Sequence, residues 1–257
     1  MPVSDLHSTT RTAYLPLKAV KVSLVQQMYQ IHERTHEHAC FDAFTQELKR
    51  QSGVLLVRCR GDERIVGFCT QSVCTVAAEG ELVRGLFTGP AIIDSEYRAL
   101  HGLRIAMFRR LFLERLKRPM APFYWFFTAP SVNDYLQMTQ RFPHHYPDIA
   151  GSAQRDLCLA QAFGAHLFPH AFDKHRMLVD FAEGHVRPKT AEAEVPVEAR
   201  QRAFFEGLNP TWRSGTELPC LAECDWTSLW RGMQGRMMVT TPSTKRIASR
   251  AKRGQPS

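Results

Sequence analysis

The feature that most constrains the fold is a run of five aromatic residues, Phe123-Tyr-Trp-Phe-Phe127, which lies between Pro122 and Ser131. The run is apolar at every position and does not alternate, which is typical of a β-strand that is covered on both faces. A strand of this kind belongs to a sheet with a layer of helices on each side. We therefore expect an α/β fold in which residues 123–127 form an interior strand.

Three short β-rich stretches precede this run and are joined by tight turns; they cover residues 54–57, 65–76 and 82–88. Gly89-Pro90 is a turn-forming pair, so we expect the third strand to end there. A long helix is predicted next, from Asp94 or Ser95 as the N-cap to about Lys117. Three adjacent strands, a crossover helix and a fourth strand predict a layered mixed sheet.

The remaining segments predict the domain organisation. Amphipathic helices are predicted over residues 22–31 and 41–49, and Ser131 is expected to cap a helix that ends near Phe142. Residues 150–182 are predicted as mostly helical, and residues 187–197 as a linker before a short helix (199–207) and a late strand (218–221). We expect a flexible lead-in (1–21), an α/β core (22–150), a C-terminal α+β extension packed on the core (151–240) and a basic flexible tail (241–257).

The formal net charge of +8 does not by itself indicate a nucleic-acid partner. Residues 242–257 contain five basic residues and no acid, and without those five the chain has 28 Lys and Arg against 25 Asp and Glu. No helix-turn-helix, zinc-finger or RNA-binding signature accompanies the charge, so we expect no specific nucleic-acid partner.

Cellular location is predicted from apolar runs and cysteines. No apolar run approaches about 18 residues, so we expect no membrane span. Seven dispersed cysteines, without a signal-peptide run, predict reduced thiols in the cytoplasm.

The ordered elements resemble the GCN5-related N-acetyltransferase (GNAT) superfamily over residues 22–146, and an uncharacterised bacterial GNAT-like subgroup to about residue 238. The similarity lies in the element order and in Leu86-Phe-Thr-Gly-Pro90, which leads into the long helix. Other residues that carry it are Gly67-Phe68-Cys69-Thr70, Ile92-Ile93-Asp94, Tyr124-Trp125-Phe126, Tyr135, Tyr146-Pro147, Phe204-Phe205, Asn209-Pro210, Trp212, Gly215, Glu217-Leu218 and Cys220-Leu221. The resemblance implies a GNAT-like layered mixed sheet.

The resemblance also implies an acyltransferase, which moves an acyl group from acyl-coenzyme A (acyl-CoA), or from an acyl carrier protein, to an amine of a small metabolite or amino acid. The start of the long helix would hold the pyrophosphate of acyl-CoA on backbone N–H groups. The cofactor-binding residues implied are Phe87, Thr88, Arg98, His101, Gly102 and Arg104. Tyr135 is implied as the acid that protonates the leaving thiolate, with Asn133 nearby. A packing aromatic with a hydrogen-bonded tip is the other interpretation of Tyr135.

Two further functions stay open. Residues 98–106 contain one glycine, Gly102, where the family's phosphate loop has two, and Pro90 replaces an acid of the subgroup. Both features favour a GNAT-fold protein that binds a ligand or partner without catalysis, and a homodimer stays open as well.

The second alternative is a zinc hydrolase. His32-Glu33-Arg-Thr-His36 matches the HExxH pattern, in which two histidines one helical turn apart bind zinc and the glutamate activates water. No third ligand stands at an evident spacing, and the apolar stripe that contains Val25 and Met28 continues to His32. We therefore expect no metal.

Overall fold

The computed structural model describes residues 10–94, 97, 102–181 and 197–234. Its nine strands form one sheet in the order β1-β2-β3-β4-β5-β9-β8-β7, with β6 paired to β9. The strands are β1 (Thr10–Pro16), β2 (Gly53–Cys59), β3 (Ile65–Ala78), β4 (Glu81–Ile93), β5 (Phe123–Ala129), β6 (His145–Tyr146), β7 (Phe172–Asp173), β8 (Leu178–Asp180) and β9 (Thr216–Glu223). Strands β4 and β5 are parallel, and the other described pairs are antiparallel.

Seven α-helices occur in the described part of the chain. They are α1 (Val22–Thr35), α2 (Phe41–Lys49), α3 (Gly102–Leu116), α4 (Val132–Thr139), α5 (Gln154–Leu167), α6 (Ala199–Leu208) and α7 (Trp226–Met233). None of these helices combines the length and the apolar content that crossing a bilayer requires.

The helices cover both faces of the sheet. Phe108 of α3 and Leu229 of α7 belong to one core cluster with Trp125 of β5. Phe163 of α5 belongs to another cluster, with Phe126 of β5. Because neighbouring residues of a strand point to opposite faces, α3 and α7 lie on one face of β5 and α5 on the other. This two-sided burial accounts for the continuous aromatic run.

The predicted fold class is confirmed. Strands β2, β3 and β4 form the expected meander, α3 crosses over, β5 pairs in parallel with β4, and α4 follows. Helix α2 has the predicted bounds, and Ser131 caps α4 by accepting a hydrogen bond from the backbone N–H of Asp134 at 3.3 Å. The result is a mixed α/β protein whose sheet is mostly antiparallel.

The sequence predicts that the third strand ends at Gly89-Pro90, but β4 continues past this pair. Thr88 pairs with Gln71 and Ala91 pairs with Cys69, so Gly89 and Pro90 together lie opposite Thr70. Two residues against one is a β-bulge, and a bulge is one of the few places where a strand accepts proline. The strand therefore continues to Ile93.

Two other segments differ from the prediction. Thr10–Pro16, expected within the flexible lead-in, is the edge strand β1 and pairs antiparallel with β2. Its Tyr14 ring lies 4.0 Å from the guanidinium carbon of Arg110 of α3, so the strand is held by a helix as well as by the ladder. Residues 168–181, expected to be helical, contain the β7–β8 hairpin. The predicted linker, apart from Val197, and the basic tail lie outside the described residues.

Candidate active site

Strands β4 and β5 separate before either of them ends. Their parallel pairing runs from Arg84–Phe123 to Phe87–Phe126. Beyond this point β4 continues to Ile93 along β3, and β5 continues to Ala129 along β9. The facing edges of the two strands therefore have backbone groups without a strand partner in the described part of the chain. We call the opening between these edges the β4–β5 wedge.

A buried hydrogen bond closes the apex of the wedge. The indole N–H of Trp125 donates to the hydroxyl oxygen of Thr88 across 2.8 Å, and both side chains are buried. The bulge begins at the next residue, Gly89, where a Cβ atom would lie 2.3 Å from Oγ1 of Thr70. A side chain at this position would therefore have to displace the Thr70 hydroxyl.

Gln71 adds an unpartnered amide beside this bond. It is the cross-strand neighbour of Thr88, so the two side chains lie on the same face of the sheet. Its side chain is 0% exposed, and neither amide atom has a hydrogen-bond partner among the described residues. Leaving a buried polar group unpaired costs about 1–3 kcal/mol. A bound water or a ligand would supply the missing partners.

Two arginines concentrate positive charge near the start of α3. Arg141 follows α4, is only 9% exposed, and donates a hydrogen bond to the backbone carbonyl of Gln137. The ring of the next residue, Phe142, stacks on Phe108 with centroids 5.7 Å apart. Arg104 lies one helical turn before Phe108 and is therefore on the same side of α3.

The two guanidinium groups interact electrostatically. Burial, together with the positive charge of Arg104, lowers the pKa of Arg141 to about 10. Neither arginine forms an ion pair with a carboxylate of the described residues. The excess positive charge and the free N–H groups of a helix N-terminus both favour an anion at this position.

The predicted cofactor-binding residues are distributed around the wedge. Thr88 lies at its apex, and Gly102 and Arg104 lie in the first turn of α3. Phe87 is buried on the opposite face, and its ring packs edge-on against Phe168 with centroids 5.5 Å apart. Arg98 and His101 lie outside the described residues. Their roles, and that of the phosphate loop, stay predictions.

Tyr135 and Asn133 both lie on α4. Tyr135 is fully buried, and its hydroxyl donates to the backbone carbonyl of Pro147 at 3.0 Å. Burial raises the pKa of this hydroxyl above its usual value of 10.0. Its ring packs 5.9 Å from that of Phe205, while Asn133 is half-buried in the first turn. The Tyr135 hydroxyl thus contacts protein on the core side of α4, and its role as an acid stays a prediction.

His32 and Glu33 lie in the last turn of α1, and His36 is its C-cap residue with an extended backbone. The rings of His32 and His36 are 4.6 Å apart, and Nδ1 of His36 lies 2.8 Å from the hydroxyl of Thr35. Among the described residues, no three His, Cys, Asp or Glu side chains come together in a way that could hold a metal ion.

Gln71 and Arg141 were not among the predicted site residues. The sequence pattern could have indicated Gln71 as a buried polar residue. It is the polar member of the alternating set Cys69, Gln71 and Val73 on one face of β3. Arg141 had no such pattern. It follows an amphipathic helix, where an exposed arginine is the ordinary expectation.

Comparisons with known proteins give partial structural matches. No family model and no curated protein matches the chain. It is similar to a probable N-acyltransferase of unknown function from Enterococcus faecalis (14% identity, TM-score 0.38), over 52% of this chain and 33% of that one. It is also similar to the GNAT family N-acetyltransferase YhbS from Escherichia coli in complex with CoA (15% identity, TM-score 0.36), over 49% of this chain and 67% of that one.

A third similar structure is a mutant AtaT toxin bound to the C-terminus of the antitoxin AtaR and acetyl-CoA (13% identity, TM-score 0.39), over 58% of this chain and 89% of that one. The chain spans about a third of the length of the Enterococcus protein. The strand order, the crossover helix and the wedge described above are what define the fold of this chain.

Proposed function

We propose that the chain is an acyltransferase that moves an acyl group from acyl-CoA to an amine of a small metabolite or amino acid. The observation that carries the proposal is the end of β4–β5 pairing at Phe87–Phe126, while both strands continue. An extended ligand that contains amide groups can pair with an open strand edge, as an added β-strand does. The pantetheine arm of CoA is such a ligand.

The diphosphate end of the donor would bind at the start of α3. Backbone N–H groups of a helix N-terminus attract phosphate, and a guanidinium group supplies two further parallel donors. Arg104 and Arg141 are the two arginines that we assign to this role. A bound phosphate would also neutralise the buried charge of Arg141, which no described carboxylate does.

The reaction needs few catalytic groups from the protein. The amine nitrogen attacks the thioester carbonyl and forms the C–N bond, and a base or a water chain takes the proton that the nitrogen loses. The C–S bond breaks, and the leaving thiolate takes a proton from an acid. Tyr135 remains our candidate for that proton donor, with Asn133 beside it. To act, its hydroxyl would have to exchange the carbonyl of Pro147 for the thiolate sulfur, so the proposal requires α4 to shift when substrate binds.

Thermal-shift and calorimetric titrations with CoA, acetyl-CoA and longer acyl-CoA species test the proposal. Ligand at 100 times its Kd should stabilise the native state by about 2.7 kcal/mol. We expect Arg104→Ala and Arg141→Ala each to weaken binding by about tenfold or more. Arg109→Ala is the matched control, because Arg109 is exposed on the same helix. Absence of stabilisation by every acyl-CoA and by acyl carrier proteins would contradict the proposal.

A non-catalytic binding protein is the second candidate, and two observations favour it. The hydroxyl of Tyr135 is already engaged by Pro147, and Pro90 contributes no N–H to the exposed part of β4. Release of free thiol from acetyl-CoA, followed over a panel of amines, separates the two candidates. Tight CoA binding with no thiol release from any amine would favour the binding protein.

A further inference from the structure

Helices α3 and α7 present large apolar side chains to solvent. The exposed members are Ile105, Leu113 and Leu116 of α3, Trp226 and Trp230 of α7, and Met120 just after α3. Leu116 is 48% exposed and Trp230 is 56% exposed. On α3, positions 105, 109, 113 and 116 recur at helical spacing and form one stripe along the outer side of the helix.

The two helices form one continuous surface. The ring of Trp226 meets that of Phe112 edge-on, with centroids 5.5 Å apart. The guanidinium carbon of Arg115 lies 5.3 Å from the centre of the same indole. Phe112 neighbours the exposed stripe of α3, so the stripe and the tryptophans adjoin. We call this surface the α3–α7 face.

The exposed charges of helices α3 and α7 have one sign. Arg109, Lys117 and Arg118 are exposed on α3 and just after it, and Arg231 is exposed on α7. The single acidic residue within the two helices, Glu114, is fully buried and paired with three cations. The α3–α7 face is therefore apolar and basic, which fits an occupant that is amphipathic and anionic.

We propose that the α3–α7 face binds the surface of an anionic lipid bilayer. Leucine and tryptophan side chains would enter the boundary between headgroups and acyl chains, and the flanking Arg and Lys side chains would reach the lipid phosphates. Residues 235–257, which directly follow α7 in the sequence, contain six Lys and Arg and no Asp or Glu. Exposed cations on the face itself add an electrostatic attraction to anionic lipid to the burial of its apolar side chains.

A second copy of this chain fits the face less well. A two-fold interface places the same patch on both partners, which would bring Arg109, Lys117 and Arg118 of one copy against the same cations of the other. An acidic protein would match the charge, and it is the competing occupant that the experiment must separate from lipid.

Flotation of the full-length protein with vesicles tests the proposal. We expect binding to vesicles that contain phosphatidylglycerol, weakened by salt, and little binding to pure phosphatidylcholine. Trp230→Ser combined with Leu116→Ser should lower the partition coefficient about tenfold or more. Arg118→Gln should lower it about fivefold.

Matched variants on other elements control for general changes in charge and hydrophobicity. Val22→Ser removes a 73% exposed apolar residue from the start of α1, and Lys49→Gln removes an exposed cation from α2. Both should bind vesicles as the wild type does. Thermal melts of every variant show that the fold is retained, and Arg109→Glu, at an exposed position of the α3 stripe, should also lower the partition coefficient.

Three outcomes would overturn the proposal. The first is that the wild type fails to float with anionic vesicles. The second is that the control variants lose as much binding as the α3–α7 variants. The third is binding to polyglutamate, reduced by the α3–α7 substitutions, without any binding to lipid, which would assign the face to an acidic protein. None of these measurements contains CoA, so failure here leaves the proposed acyltransferase activity standing.

Discussion

The two ends of α3 both have a buried charge nearby, but within the described part of the chain only one of these charges is neutralised. Near the C-terminal end, Glu114 is fully buried and is bound by three cations: Arg84, Arg110 and Lys117. Near the N-terminal end, Arg141 is almost as deeply buried beside Arg104, and its described side-chain hydrogen bond goes to a main-chain carbonyl.

The sheet beneath the helix differs in the same way. Near Glu114, β4 and β5 are paired, and Arg84 of the Arg84–Phe123 pair binds the carboxylate. Near Arg141 the strands have separated, and the amide of Gln71 lacks a partner among the described residues. At the first end the buried carboxylate is bound by cations of the protein, while Nε of Arg110 has no hydrogen-bond partner among the described residues. At the second end, Gln71 has no hydrogen-bond partner and Arg141 no carboxylate partner among the described residues, as the proposed ligand site requires.

We call the C-terminal end of α3, with the Glu114 cluster, the closed end, and the N-terminal end, near Arg141, the open end. The largest expected effect on stability is at the closed end. Glu114→Gln removes the carboxylate and leaves three cations close together, and breaking a buried ion pair from one side costs about 3–5 kcal/mol. For a chain of this size, that lowers Tm by roughly 10 °C. Thermal and urea denaturation of the variant measure the loss.

Glu206→Gln is the matched control for this substitution. The Glu206 side chain is 36% exposed and lies 3.9 Å from Arg202 and 3.7 Å from Arg213. Surface pairs of this kind contribute about 0–1 kcal/mol. If the two substitutions cost the same, the cluster at Glu114 does not hold the closed end together and the contrast fails.

The pH dependence of stability provides a second test of Glu114. Burial alone would raise the pKa of its carboxyl, but the hydrogen bond from Lys117 and the charges of Arg110 and Arg84 hold that pKa below its usual value of 4.5. A folded-state pKa below the unfolded one gives stability that is present above pH 4.5 and is lost as the pH falls through the folded pKa.

Tm measured against pH should therefore fall on acidification in the wild type, and fall less in Glu114→Gln. The two curves should approach each other at low pH. Curves that stay parallel from neutral pH to below 4.5 would show that another carboxyl controls acid stability.

A smaller effect is expected from tight packing in the paired part of β4 and β5. At Gly85 an added Cβ would lie 2.7 Å from the Phe163 ring and 3.1 Å from the carbonyl oxygen of Tyr124. Gly85→Ala should therefore cost about 1–3 kcal/mol in the free energy of unfolding. Gly61→Ala is the control, because nothing lies within 4 Å of its added Cβ. Equal urea midpoints for the two variants would mean that the Phe163 ring and the paired part of β4 and β5 can accommodate the added Cβ without loss of stability.

The central strands and helices α2 and α4 could be predicted from the sequence because their signals are local, whereas the ion pairs of Glu114 were not predicted. Periodic apolar residues gave α2 its bounds, Ser131 marked the start of α4, and the continuous aromatic run marked β5 as a strand buried on both faces. These features depend on residues within one or two turns of each other, and such patterns are visible in a single chain.

The wedge could be predicted only in part, because its geometry depends on pairing between distant residues. Gly89-Pro90 has the pattern of a turn, and only the register against Thr70 makes it a bulge inside a longer strand. The burial of Arg141 depends on how Phe142 packs against α3. The bond between the Tyr135 hydroxyl and Pro147 likewise has no local signal.

The smallest expected change in stability is at the open end. Arg141→Met replaces a buried guanidinium by an apolar side chain of similar length. It removes a hydrogen bond from a charged group, about 1.5–3 kcal/mol, but also removes the desolvation cost of a buried charge, which is of similar size. We expect the free energy of unfolding without ligand to change by less than about 1 kcal/mol. The stabilisation that CoA gives the wild type should largely disappear in this variant.

Arg104→Met should behave in the same way, since Arg104 is half-buried and lies on the same side of α3. Urea denaturation with and without CoA separates the two contributions. A loss in ligand-free Arg141→Met as large as that in Glu114→Gln would mean that the protein itself satisfies this cation. The two ends of α3 would then be alike, and the wedge would lose its strongest anion-binding group. A small loss together with an abolished CoA effect would mean that the charge of Arg141 is reserved for a ligand.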